Sequence, residues 1–281
     1  MVDRDAYRRQ SLATWDEMAP GWEAHNQWMI EVAGSVNAWI LAQADPSPGQ
    51  TVLEIAAGPG DLGFQAAKRV GSGGKVISSD FSPAMVEVAR RIGRERGITN
   101  VDHRVLDAER MDLPDDCVDV VLCRWGYMLM ADPAAALRET RRVLPDGGPL
   151  AFAVWAAPEH NPWAAVPGGT LVERGHLPPP EPGAPGIFAL ADPARIRRLV
   201  LDAGFAEPSL EEVAFMFRYS DFDELWDTLV RLAGPLAQAI NGLPDGEREA
   251  TREAIAENLV PFRRPDGSYE APGVCWGVSV R

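Results

Sequence analysis

From residue 51 to residue 155 the chain alternates short β-branched or apolar runs with stretches of helical spacing, and that rhythm narrows the fold more than any other feature. The strand-like runs are 51–56, 75–79, 101–105, 118–123 and 149–155, and the helical stretches are 61–70, 82–96 and 134–143. Ser82 and Pro83 supply a cap and a first-turn proline for the second of these helices. Strands and helices alternating at this spacing predict a parallel sheet with helices on both faces. Ahead of it, residues 4–44 have helical spacing and carry Trp15, Trp22, Trp28 and Trp39, until Asp45-Pro46-Ser47-Pro48-Gly49 stops the run. Beyond it, residues 158–185 are dense in proline and predict an irregular strap. A helix over 192–204, a strand over 209–219, two helices over 221–240 and 245–259 and a closing strand over 273–281 bring the sheet to seven strands, doubly wound and mostly parallel.

Composition excludes several classes of function. With 41 acidic against 27 basic side chains, a formal charge of -14, the average field repels phosphate backbones, so no nucleic-acid partner is expected. The three cysteines, Cys117, Cys123 and Cys275, lack C-x-x-C spacing and read as buried free thiols of a reducing compartment. No run reaches the ~18 apolar residues of a membrane span, and the start lacks a signal-peptide core, which predicts a soluble cytoplasmic protein without membrane insertion. No acidic cluster has divalent-metal spacing, so no metal is expected.

The turn after the first strand, Gly58-Pro59-Gly60-Asp61-Leu62-Gly63, fits the G-x-G-x-x-G pattern of dinucleotide-binding folds and marks a cofactor site beyond the strand ends. A pyrophosphate at that helix N-terminus wants positive potential. Here the turn lies between Glu54 and Asp61, with no lysine or arginine from 51 to 67. Two carboxylates about 4 to 6 Å from a dianion would repel it by several kcal/mol if poorly solvated, and would suit a cation instead.

S-adenosylmethionine is such a cation. Glu54-Ile55-Ala56-Ala57-Gly58-Pro59-Gly60-Asp61 resembles the first motif of class I methyltransferases, in the variant with alanine before the glycines that is found in quinone-biosynthesis C-methyltransferases and related small-molecule enzymes. Leu106-Asp107-Ala108-Glu109 resembles their adenine-binding segment, and the turn Arg141 to Gly148 resembles the one before their fifth strand. The resemblance covers roughly 45–155. It implies a Rossmann-like methyltransferase fold: an N-terminal helical lid (1–44), a cofactor-binding core (45–220) with the strap at 156–187, a helical cap (221–269) and a closing core strand (270–281).

For the cofactor, the resemblance implies Gly58 and Gly60 passing under the methionine part, Glu54 behind the loop, and Ala56 in the turn. Asp80 takes the ribose hydroxyls, Phe81 and Met85 pack on adenine, Asp107 accepts from its amine and Ala108 leaves room for the ring. Arg124 and Trp125 border the methyl donor, Trp22 belongs to a lid segment that starts at Trp15, and S-adenosylhomocysteine is the product.

An apolar acceptor pocket is expected from Trp125, Met128, Met130, Trp163, Phe188, Phe215, Phe217 and Trp226. His160, after the fifth strand, and His25, in the lid, are the candidate general bases. The expected activity is O- or C-methylation of a natural product, quinone or aromatic compound, with a homodimer allowed. The alternatives are an NAD(P)-dependent oxidoreductase and a cofactor-binding protein without catalysis.

Overall fold

The computed structural model describes residues 3–181 and 183–281; Met1 and Val2 of the expected lid and Pro182 of the expected strap lie outside the described residues. Helices α1 (Arg4–Ala24), α2 (Asn26–Val32) and α3 (Gly34–Ala44) precede β1 (Thr51–Ile55). The ladder continues as α4 (Asp61–Val70), β2 (Lys75–Asp80), α5 (Pro83–Glu95), β3 (Val101–Val105), β4 (Val120–Arg124), α6 (Pro133–Val143) and β5 (Leu150–Trp155). After it come α7 (Pro162–Glu173), α8 (Pro193–Asp202), β6 (Ser209–Tyr219), α9 (Phe222–Leu232), α10 (Pro235–Asn241), α11 (Asp245–Asn258) and β7 (Tyr269–Val280).

All seven strands form one sheet in the order β3-β2-β1-β4-β5-β7-β6. The first five are parallel, while β7 runs antiparallel to both β5 and β6. This is the Rossmann-like methyltransferase fold, with flanking helices. β4 and β5 are buried along their whole length, as continuous apolar runs in the middle of a covered sheet should be. The strand order reverses between β1 and β4, and a crevice opens beyond their carboxyl ends. Ser82 caps α5 by accepting from the Met85 N–H at 3.1 Å, with Pro83 in the first turn.

Three local expectations change. The proline-dense strap contains a regular helix, α7, because Pro162 occupies its first turn, where no N–H is needed, and Ala164, Pro167 and Leu171 are buried on one side of it. The fully buried Asn161 anchors its start by donating to the carbonyls of Ala156, Ala157 and Val274 and accepting from the Val274 N–H. The helix expected over 221–240 is two helices, broken at Gly234, whose φ of 50° lies in the left-handed region. Cys123 and Cys275 are buried, but Cys117 is only half-buried, since it lies in the loop entering β4. No described helix is long and apolar enough to cross a membrane, and among the described residues no three His, Cys, Asp or Glu side chains converge on a metal site.

Candidate active site

The crevice is shaped by two loops held together through one carboxylate. Ala56, Gly58 and Gly60, after β1, adopt φ of 53°, 53° and 87°. Glycine takes such angles freely; for Ala56 they cost about 1 to 3 kcal/mol, the strain that recurs at functional turns. Asp80, at the end of β2, accepts from the Gly58 N–H and from the Ser82 N–H, each at 2.9 Å, and so ties the glycine loop to the start of α5. Burial raises its carboxyl above the ordinary range against the pull of those two hydrogen bonds. A Cβ built on Gly58 meets nothing within 4 Å, so that part of the loop faces open space.

Behind the loop the charges are arranged differently from the expectation of two bare carboxylates. Glu54 is 2% exposed and accepts from the Gly63 N–H and the Ser78 hydroxyl, each at 2.9 Å. Burial outweighs those bonds and pushes its carboxyl up to about 8, so it is largely neutral at neutral pH. Burial also works against ionisation of Asp61, but the Arg124 guanidinium overrides it: its two nitrogens lie 2.8 and 2.9 Å from the carboxylate, which ends below its ordinary value. Asn37, from α3, donates to Asp61 at 2.6 Å and accepts from Arg124 at 2.7 Å. The missing cation therefore comes from the end of β4, 63 residues further along the chain.

Phosphate is disfavoured for another reason. A pyrophosphate binds through free loop N–H groups, and here Ala57 donates to the Ser79 carbonyl, Gly58 to Asp80, Gly60 to the Ala57 carbonyl and Gly63 to Glu54. These four loop donors are spent on the scaffold.

One cavity at the crevice is lined by Trp22, Ala56, Gly58, Asp80, Phe81, Met85, Asp107, Ala108, Arg124 and Trp125. The structure thus brings together ten of the twelve residues expected at the cofactor; Glu54 and Gly60 stand behind the loop instead, the first as an anchor and the second as the residue before α4. Sequence reasoning missed Tyr7, Arg8 and Ser11 on α1, which line the same cavity. The Arg8 guanidinium is paired with both Asp107 and Glu109 and lies 5.7 Å from the centre of the Phe81 ring. No local signal announces a partner 99 positions away.

A second cavity adjoins the first and shares Trp15, Trp22, Trp125 and Leu129 with it. Trp125, Met128, Trp163 and Phe217 line it as expected for an acceptor pocket, together with Trp28, Trp155 and Tyr219. The aromatic rings pack on one another: Trp125 stacks on Trp155 at 4.5 Å between centroids, and Trp163 lies 4.7 Å from Trp155 and 5.1 Å from Phe217. Trp125 is itself left-handed at φ 57°, and its indole N–H is 3.0 Å from the Cys275 sulfur.

Six expected site residues lie elsewhere: Met130 lines the first cavity instead, and Phe188 and Phe215 line neither. Trp226 packs on Phe222 beneath Arg252 and lines neither cavity. His160 is exposed on the turn after β5, where the chain has already left the crevice. His25 joins α1 to α9, with its ring nitrogens 2.9 Å from the Gly21 carbonyl and 3.2 Å from Asp227. Neither histidine is among the residues that line the two cavities.

A glycine loop closing on an acid at the second strand end, in a sheet of this order, is the arrangement that the resemblance to class I methyltransferase domains implies. Residues 46–165 match the family described as "Methyltransferase domain". It is 30% identical over 147 residues to aklanonic acid methyltransferase DauC of Streptomyces sp. (strain C5), covering 52% of this chain and 66% of DauC. It is 37% identical over 136 residues to the ubiquinone/menaquinone biosynthesis C-methyltransferase UbiE of Shewanella sp. (strain ANA-3), covering 48% of this chain and 50% of UbiE. The chain thus spans between half and two thirds of the length of these relatives. In fold it is similar to a putative methyltransferase of Bacillus halodurans C-125, with a TM-score of 0.57, 22% identity and coverage of 87% of this chain and 97% of the other. It is equally similar to the [4+2]-cyclase SpnF, with a TM-score of 0.56, 17% identity and 95% coverage of both, so the fold alone does not dictate the reaction.

Proposed function

We propose that the protein transfers a methyl group from S-adenosylmethionine to an oxygen or carbon of an apolar small molecule. The observation that carries this reading is the shared wall of Trp15, Trp22, Trp125 and Leu129, where a cavity that holds Asp80, Asp107 and Arg124 meets an aromatic one. The names of DauC, an aklanonic acid methyltransferase, and UbiE, a C-methyltransferase of ubiquinone and menaquinone biosynthesis, support a small-molecule acceptor.

The cofactor supplies a methyl group on a positively charged sulfur. The residues fit it: Asp80 offers a buried carboxylate to the ribose hydroxyls, Phe81 and Met85 flank the adenine, and Gly58 leaves open space for the methionine part. Asp107 meets the adenine amine once Arg8 yields it. Helices α1 and α2 act as the lid and α9 to α11 as the cap of the acceptor cavity, while α3 packs on the sheet as part of the core that holds the donor. Trp15 and Trp22, 6.2 Å apart edge to face, close the junction and keep water from the reacting carbon. In-line transfer then depends on alignment, which packed indoles provide.

Calorimetry with S-adenosylhomocysteine and with NADH, followed by transfer of labelled methyl into a metabolite extract, tests the reading. Binding of S-adenosylhomocysteine with labelled product is expected; NADH binding without S-adenosylhomocysteine binding overturns it. His25→Ala and His160→Ala are expected to change kcat/KM by less than about threefold, under 1 kcal/mol.

A further inference from the structure

The donor cavity runs along four strand ends in the order of the sheet: Asp107 follows β3, Asp80 ends β2, Gly58 follows β1 and Arg124 ends β4. Ile55 and Cys123 are paired in register, so Ala56 and Arg124 come next, side by side. Among the described residues that line this cavity the cations are Arg8 and Arg124. Arg8 is committed at the β3 end, to Asp107 and Glu109. At the β4 end, Arg124 Nη1 donates to Asn37 and to Asp61, and Nη2 donates to the other oxygen of Asp61. Three of the five guanidinium N–H bonds are spent in this way, and the Nε–Nη2 edge is left over. Among the described residues Nε has no partner, and it is not one of the atoms both buried and unpaired, so it keeps accessible surface. Desolvation offsets most of the attraction within a buried ion pair, so stability alone does not account for the Asp61–Arg124 pair. An unspent guanidinium edge at a cavity wall suits a planar carboxylate. The glycine loop beside it competes little for such a group, since the N–H groups of Ala57, Gly58, Gly60 and Gly63 are bonded within the protein.

Resting on the methyltransferase reading, we infer that the Arg124 guanidinium receives the α-carboxylate of the methionine part of S-adenosylmethionine, and that Asp61 and Asn37 are positioning residues that aim it. With adenine at Asp107 and ribose at Asp80, the amino-acid part falls further along the row of strand ends, at β4. Asp61 cancels the net charge of Arg124, so the site selects a carboxylate by two directed N–H bonds rather than by a strong positive field. That difference separates it from a phosphate site, which needs an excess of positive potential. Asn37 is fully buried on α3 and bonded to both members of the pair, which fixes the plane of the guanidinium before the cofactor arrives.

Titration calorimetry of the full chain at neutral pH with three probes tests the assignment: S-adenosylhomocysteine, its decarboxylated form, which keeps the amine, and methylthioadenosine, which lacks the whole amino-acid part. The parent is expected to bind S-adenosylhomocysteine about tenfold or more tightly than the decarboxylated form. The double variant Asp61→Asn with Arg124→Gln removes the pair without stranding either charge. In it the preference is expected to fall below about twofold, while methylthioadenosine changes by less than about threefold. Arg124→Lys keeps the charge without the flat edge and is expected to lower the preference by about threefold; Arg8→Met is expected to leave it intact. Should the double variant fail to fold, Arg124→Lys carries the same comparison. Equal binding of the first two probes by the parent, a preference that survives undiminished in the Arg124 variants or is lost in Arg8→Met, or equal weakening of all three probes overturns the assignment and leaves Arg124 as the counter-ion of Asp61. Failure of all three probes to bind the parent overturns the methyltransferase reading beneath it.

Discussion

Glu54 offers a stringent test of the electrostatics behind the glycine loop. Its carboxyl moves from an ordinary 4.5 to about 8 on folding, because burial disfavours the anion more than Ser78 and the Gly63 N–H favour it. The folded chain therefore holds a proton that the unfolded chain has released between those two values, and this group lowers stability as pH rises through that window. The full difference amounts to ~5 kcal/mol above the window and roughly 3 kcal/mol at neutral pH. Gln matches the neutral acid in shape: its carbonyl accepts from Gly63 and its amide donates to the Ser78 oxygen. Urea unfolding of Glu54→Gln and the parent at about pH 5 and about pH 7 isolates the term, since every other titrating group cancels in the difference. The two should lie within ~1 kcal/mol of each other at the lower pH, with the variant gaining about 3 kcal/mol relative to the parent at the higher. A gap that stays constant with pH, or one that favours the parent more as pH rises, would refute the reasoning, because Glu54 would then be an anion in the fold.

Arg124→Met leaves Asp61 buried without its cation and is expected to cost about 3 to 5 kcal/mol, read as a lowered midpoint in urea. Gly126→Ala puts a Cβ 2.6 Å from the Ala56 Cβ and 2.7 Å from the Cys123 sulfur; calorimetry should show weaker S-adenosylhomocysteine binding, and stability should fall by about 1 to 3 kcal/mol. Asp80→Asn replaces one of the two carboxylate oxygens, each of which accepts from one of the two loops, by an amide donor, and is expected to reduce S-adenosylhomocysteine affinity by about tenfold or more, measured in the same titration.

Much of the fold is legible in local sequence. Strand periodicity, the Ser82-Pro83 cap and the glycine turn act over a few residues, and each determines a piece of backbone wherever it occurs. The expected strand β6 coincides with the observed one at both ends. The donor crevice follows, because a parallel ladder of this order leaves the ends of β1, β2 and β4 side by side, which brings Gly58, Asp80 and Trp125 to one cavity. Proline content misled at α7, where packing of an apolar side outweighed the missing N–H of Pro167.

Charge and the acceptor wall belong to the tertiary structure. Sequence shows Glu54 and Asp61 as two acids seven positions apart, yet folding neutralises one by burial and the other by Arg124. It shows His25 and His160 as available bases, yet folding points one at Asp227 and leaves the other in solvent. Proton affinity and hydrogen-bond partnership depend on dielectric surroundings and on distances between residues far apart in the chain, whereas backbone conformation at a turn depends on its immediate neighbours. For that reason the residues themselves set the sheet and its glycine loop, and only the packed molecule decided which acids keep their charge and that, among the described residues, no Asp, Glu, His, Lys, Arg or Cys lines the second cavity.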